Sequence, residues 1–107
     1  MKMILQEGAD NMTNQSLPSN HTDESVLVAK MQDVQKEIQP GEIWHHYKDP
    51  SKLYKIIDLA FLEGTEEVAV IYQSLYGHKL VWVRSWVIWS EQVEYKGVAY
   101  SRFKRVE

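Results

Sequence analysis

The sequence contains no cysteine. That excludes disulfides, a thiol nucleophile and thiolate metal sites. Glycine is sparse, five residues in all, and none of them sits in a phosphate-cradling loop. No hydrophobic run approaches the roughly 18 residues of a membrane span. Met1 to Asp10 lack the continuous apolar stretch of a secretory signal. A cytoplasmic location and no membrane partner are therefore expected. A basic excess is missing too, with 12 Lys and Arg against 15 Asp and Glu, net −3. Residues 1–39 carry this imbalance, three basic against six acidic; residues 40–107 carry nine of each. Phosphate contacts supply most non-specific nucleic-acid affinity, so a neutral segment argues against such a partner. No serine stands in a Gly-x-Ser-x-Gly setting.

What is present is uneven. All twelve aromatic residues lie between Trp44 and Phe103. Residues 40–107 hold 33 apolar residues in 68, whereas residues 1–22 hold seven in 22. The division predicts three parts: a disordered arm over 1–22, an amphipathic helix within 23–39, and a small β domain over 40–107. The arm is too poor in apolar residues to offset the entropy of ordering it. Its Asn-x-Ser/Thr triplets at Asn11, Asn14 and Asn20 are read as chance products of composition. Leu27, Met31, Val34 and Ile38 recur at helical spacing, which predicts a helix from about Glu24 to Ile38. Thr22 or Asp23 would cap it, and Pro40 would stop it. Its stripe would dock on the domain; the alternative is a homodimer seam along 24–38.

Beyond Pro40 the pattern is β. Runs of Val, Ile and aromatic residues alternate with turns at Asp49-Pro50, Gly64, Gly77 and Lys96-Gly97. The expectation is a mainly β fold: a small SH3-like, partly open barrel of about five to six strands. In Trp86-Val87-Ile88-Trp89 the two Trp are three apart, which suits a single helical turn.

The candidate chemistry is limited. His45-His46 is a poor metal pair, because adjacent strand residues point to opposite faces; no metal and no cofactor are expected. The carboxylate pair Glu66-Glu67 flanks a turn, where charge is simply solvated; Glu91 and Glu94 lie near a predicted hairpin, and acid–base work needs two carboxylates in different environments of one cleft, which spacing alone does not show. Arg102, Lys104 and Arg105 read as a solvated strand edge. The informative set is Tyr72, Gln73, Tyr76, Trp82 and Arg84, which combines flat stacking surfaces with a donor, an acceptor and a cation. Alternation puts Tyr72 and Gln73 on opposite faces and Trp82 and Arg84 on the same one.

Pro40-Gly41-Glu42-Ile43-Trp44-His45-His46-Tyr47-Lys48, then Tyr54-Lys55-Ile56, then Val70-Ile71-Tyr72-Gln73-Ser74-Leu75-Tyr76-Gly77, Trp82-Val83-Arg84 and Arg102-Phe103 form an ordered set. The set resembles the bacterial domain-of-unknown-function family 1653, over about residues 40–104. The resemblance implies a small, mostly β, cytoplasmic domain with no established activity. It places His46, Tyr47, Tyr72, Gln73, Tyr76, Trp82 and Arg84 at family motif positions. Two positions depart from the pattern: His45 replaces the usual Arg and Ser85 the usual Pro. Basic residues common in relatives between Ala60 and Glu67 are absent, which favours binding over catalysis.

The expected function is a non-catalytic binding module for a peptide, a protein or a nucleotide-like ligand. Its candidate ligand-binding residues are His46, Tyr72, Gln73, Tyr76, Trp82 and Arg84. The alternatives are a small enzyme acting on a nucleotide or polar metabolite, with His46 as acid–base and Arg84 holding an anion, and a sequence-tolerant RNA binder.

Overall fold

The structure, a computed structural model, describes residues 22–106; the arm expected over 1–22 therefore lies, but for Thr22, outside the described residues. Helix α1 spans Glu24–Gln35. Asp23 caps it, its carboxylate accepting from the Ser25 amide (2.9 Å) and the Ser25 hydroxyl (2.7 Å). The same geometry holds the Asp23 pKa below the usual carboxylate value, through the Ser25 side chain first and the Ser25 backbone second. Thr22 hydrogen-bonds the Glu66 carboxylate through both its amide and its hydroxyl, and Lys30 Nζ donates to the Glu66 carbonyl (3.0 Å). The start of the helix is thus tied to the turn around Glu66.

Leu27, Met31, Val34 and Ile38 are the residues of this segment that turn away from solvent, as their spacing predicts. Val34 and Ile38 belong to the core, and Met31 packs against it. The stripe is covered by the chain's own sheet, and Val26 and Val28 face outward. Ile38 lies past the helix end, yet its amide still bonds to the Val34 carbonyl (3.1 Å).

Five strands make one antiparallel sheet: β1 (Ile43–His46), β2 (Leu53–Phe61), β3 (Val68–Ser74), β4 (Val81–Ser85) and β7 (Phe103–Arg105). Their order is β4-β3-β2-β1-β7. β5 (Gln92–Tyr95) and β6 (Val98–Ser101) form a separate hairpin. The fold is mainly β, and its main sheet is open, with β4 and β7 as edges. The strand count is seven where five to six were expected, because Val98 to Val106 is two strands. The change of partner falls at Arg102, whose amide donates to the Glu91 carbonyl (3.2 Å) while its carbonyl accepts from the Tyr47 amide (3.0 Å). The chain there leaves the hairpin and joins β1. Lys96 and Gly97 both have positive φ, 53° and 79°, the conformation a two-residue hairpin turn requires.

In β2 the inward residues are Tyr54 and Ile56, then Leu59 and Phe61. Strict alternation would turn one of these pairs to solvent. A bulge at Ile57, between the pairs Ile56–Tyr72 and Asp58–Ile71, shifts the phase by one residue and leaves Ile57 exposed. Trp86–Trp89 is a helical turn, α2, as the spacing of its two Trp indicates; the Ser85 hydroxyl caps it by accepting from the Ile88 amide (3.2 Å). This turn drives Trp89 into the core, where it is 1% exposed. Phe103, Tyr72, Val70 and Ile56 surround the same core. Among the described residues no helix is long and apolar enough to cross a membrane.

Candidate functional site

The antiparallel register sets Tyr72 of β3 beside Trp82 of β4, and Val70 beside Arg84. Trp82 and Arg84 are two residues apart and share a face, the one Tyr72 occupies on β3 and Tyr54 on β2. At the end of this face the chain turns through Tyr76, Gly77 and His78. The result is an open cleft of about 310 Å³. Its walls are Tyr54, Tyr72, Tyr76 and Trp82, with Ser74, Gly77, His78 and Leu80 at one end and Arg84 at the other. Among the described residues no Asp or Glu lines it.

The tyrosines hold one another in place. Tyr54 meets Tyr72 and Tyr76 edge-on, with centroids 5.6 and 5.7 Å apart. The Tyr54 and Tyr76 hydroxyls are hydrogen-bonded at 2.9 Å. Burial, then the hydrogen bond to Tyr76, pushes the Tyr54 pKa well above the ordinary phenol value, so the group stays neutral and serves as donor or acceptor. Lys52 Nζ lies 4.3 Å from the Tyr76 ring centroid, which brings a second cation to the cleft wall.

Arg84 is half-buried, with its guanidinium 5.3 Å from the Phe103 ring centroid. No carboxylate among the described residues pairs with it. The C-terminal cations differ: Arg102 pairs with Glu91 (2.8 Å) and Arg105 with Glu42 (3.2 Å). Two of the three cations of that cluster are thus held in ion pairs.

Four of the six sequence-derived candidates, Tyr72, Tyr76, Trp82 and Arg84, therefore meet in one cleft. Gln73 is on the other face of β3, and its side-chain amide donates to the Lys79 carbonyl (3.0 Å), steadying the turn. His46 does not line the cleft either. It stands edge-on to Phe103 (5.7 Å), directly across the β1–β7 pairing, and its Nδ1 accepts from the Lys48 amide (3.1 Å). Desolvation lowers its pKa first; the nearby cations Arg102, Lys48 and Arg84 lower it further, against the opposing pull of Asp49. His46 thus packs against Phe103 and accepts from the Lys48 amide, away from the cleft. His45 points the other way and joins Tyr47, Tyr100 and Lys104 around a separate groove. Among the described residues no three His, Asp or Glu side chains gather into a metal-sized cluster.

Tyr54, Ser74, Gly77, His78 and Leu80 complete the cleft and are not among the sequence-derived candidates. Tyr54 carried a usable signal, being two residues from the apolar Ile56 and hence on its face. Ser74 is likewise two residues beyond Tyr72. The place of His78 and Leu80 depends on the turn, where Lys79 takes a positive φ of 55° that residue type does not announce.

Residues 42–105 match the family model described as "Protein of unknown function (DUF1653)". A search of the curated proteins found no match. Among solved structures, the chain is similar to the crystal structure of a protein belonging to DUF1653 from Bordetella bronchiseptica, with 31% identity and a TM-score of 0.57. The similarity covers 67% of this chain and 91% of that one. With the family model spanning more than half of its length, the chain belongs to the DUF1653 family.

Proposed function

We propose that this domain is a non-catalytic binding module. Its cleft takes an anionic group, presented by a peptide, a protein or a nucleotide-like ligand, against Arg84. Tyr72, Tyr76 and Trp82 supply flat contact area, and Arg84 supplies charge-assisted hydrogen bonds. One observation carries this reading: a half-buried guanidinium stands at the end of a tyrosine-walled cleft with no carboxylate partner among the described residues. Partial desolvation of an unpaired cation costs stability, and a ligand anion would repay that cost. The strand order, with the last strand beside the first, supports an SH3-like reading of the fold. The cysteine-free sequence goes with a cytoplasmic setting.

The test is a thermal-shift and calorimetric screen of N-acetylglutamate, AMP and short acidic peptides against the full chain and Arg84→Gln. At least one of them should raise the wild-type melting temperature and lose that effect in Arg84→Gln. The variant itself should melt close to the wild type. An Arg84→Gln protein that fails to fold would make the residue structural and end the proposal.

A further inference from the structure

The cleft opens beside an unpaired sheet edge. β4 pairs with β3 and with no other strand among the described residues. The Ser74 amide donates to the Leu80 carbonyl (3.1 Å), which fixes the ladder phase. In an antiparallel ladder every second pair is hydrogen-bonded. Trp82 and Arg84 therefore bond toward β3, and Val81 and Val83 point their N–H and C=O groups away from the sheet. Natural edges are usually blunted by charge, proline or a bulge. The opposite edge, β7, carries Lys104 and Arg105. β4 instead presents Val81 and Val83 at 57% and 58% exposure, next to Trp82 at 49%.

We propose, resting on the cleft reading above, that the ligand is an extended acidic peptide that adds to β4 as a sixth strand of the sheet. It runs antiparallel, like every other pair in that sheet, and bonds the outward amides and carbonyls of Val81 and Val83. Its residues opposite Trp82 and Arg84 occupy non-hydrogen-bonded pairs, where side chains approach most closely. A glutamate opposite Arg84 brings a carboxylate to the unpaired guanidinium. An apolar residue opposite Trp82 covers its exposed ring, and β-branched residues pack against Val83 and Val81. The recognised core, read from its N-terminal end, is acidic, β-branched, apolar, β-branched.

Charge selects this occupant over a second copy of the chain. The segment from Lys79 to Ser85 contains two cations and no acid. Pairing β4 with itself would leave both Arg84 side chains without an anion.

The probe is a fluorescein-labelled peptide, Ser-Glu-Val-Leu-Val-Ser with its C-terminus amidated, titrated with the full-length protein and followed by anisotropy. Saturable binding is expected. Replacing the peptide Glu by Gln should weaken it about tenfold or more, the worth of a charge-assisted bond. Arg84→Gln should weaken the Glu peptide equally and the Gln peptide no further. Val83→Pro removes one outward amide and leaves the ladder to β3 intact, so it should abolish peptide binding without changing the far-ultraviolet spectrum. If Val83→Pro misfolds, Val81→Pro, which removes the other outward amide, serves as the second variant. Binding indifferent to the peptide Glu, or retained by both edge variants, overturns the proposal. So does a wild-type dimer in light scattering that either edge variant converts to a monomer, because the edge then belongs to a second copy. N-acetylglutamate or AMP binding that depends on Arg84 and ignores Val83→Pro would leave the cleft reading standing and remove the added strand.

Discussion

Trp89 and Phe103 are stacked, with ring centroids 3.9 Å apart and planes 13° from parallel. The two residues come from opposite ends of the open sheet. Trp89 sits on the helical turn that follows edge strand β4, and Phe103 is the first residue of edge strand β7. No ladder joins these edges, so a buried aromatic contact does. Tyr72 meets the Trp89 ring edge-on at 4.9 Å and Trp44 meets it at 5.8 Å, making Trp89 the hub of the core. The wall of the cleft at Tyr72 is therefore held from behind by this stack.

Truncating Trp89 should accordingly be close to lethal for the fold. Trp→Ala at a fully buried site costs about 3–5 kcal/mol, a large part of the total stability of a small domain. Trp89→Phe keeps a ring against Phe103 and removes an indole N–H that has no hydrogen-bond partner among the described residues. It should stay folded. Urea denaturation followed by circular dichroism checks both, and a Trp89→Ala protein as stable as the wild type would mean the stack contributes little.

Ile38 tests whether the N-terminal helix is part of the folding unit. Its side chain is fully buried although it lies outside the helix proper. Ile38→Ala should cost about 2–5 kcal/mol. Val26→Ala, on the solvent side of α1, should stay within about 0.5 kcal/mol. Equal and small effects at both positions would mean that the helix is not docked.

These residues also show what could be read in advance. The stripe Leu27, Met31, Val34 and Ile38 was legible because helical spacing and burial are the same statement about one face. The helical turn at Trp86–Trp89 was legible for the same reason. The bulge at Ile57 was not: Ile56 and Ile57 are chemically alike, and only pairing with β3 decides which one faces inward. The break at Arg102 was hidden because residues 98–106 suit a strand throughout, and two different partners claim the two halves. In the site, alternation put Trp82 beside Arg84 and separated Gln73 from Tyr72. It offered nothing about His46, whose face follows from the β1–β7 register, a pairing between residues 57 apart in sequence.

His46 gives stability a pH dependence of known sign. Its folded pKa lies below the ordinary value of 6.5, because burial and neighbouring cations disfavour the imidazolium. Between the folded and unfolded values the unfolded chain binds more protons, so stability rises with pH there. The contribution is complete above the unfolded pKa and is lost as pH falls through the folded one. His46→Asn keeps an acceptor for the Lys48 amide and cannot titrate. Its melting temperature should fall less than that of the wild type between pH 7 and pH 5. Coincident slopes for the two proteins would show that His46 does not titrate differently on folding.

Arg84 should show a trade between stability and binding. A structural arginine would be held by a carboxylate, as Arg102 is by Glu91 and Arg105 by Glu42. Arg84 has the Phe103 ring and, among the described residues, no such anion. Replacing it with Met keeps an apolar stem against Phe103 and removes a partly desolvated charge. Arg84→Met should therefore melt within about 3 °C of the wild type or above it, a shift of the size a change below about 1 kcal/mol produces. Arg105→Met breaks an ion pair that is largely exposed on the arginine side and should also cost little. The two variants differ in binding: only Arg84→Met should lose ligand, because Arg84 stands at the cleft and Arg105 does not. A pronounced drop in the melting temperature of Arg84→Met would assign the guanidinium to the core, and equal ligand affinity in both variants would move the anion site elsewhere.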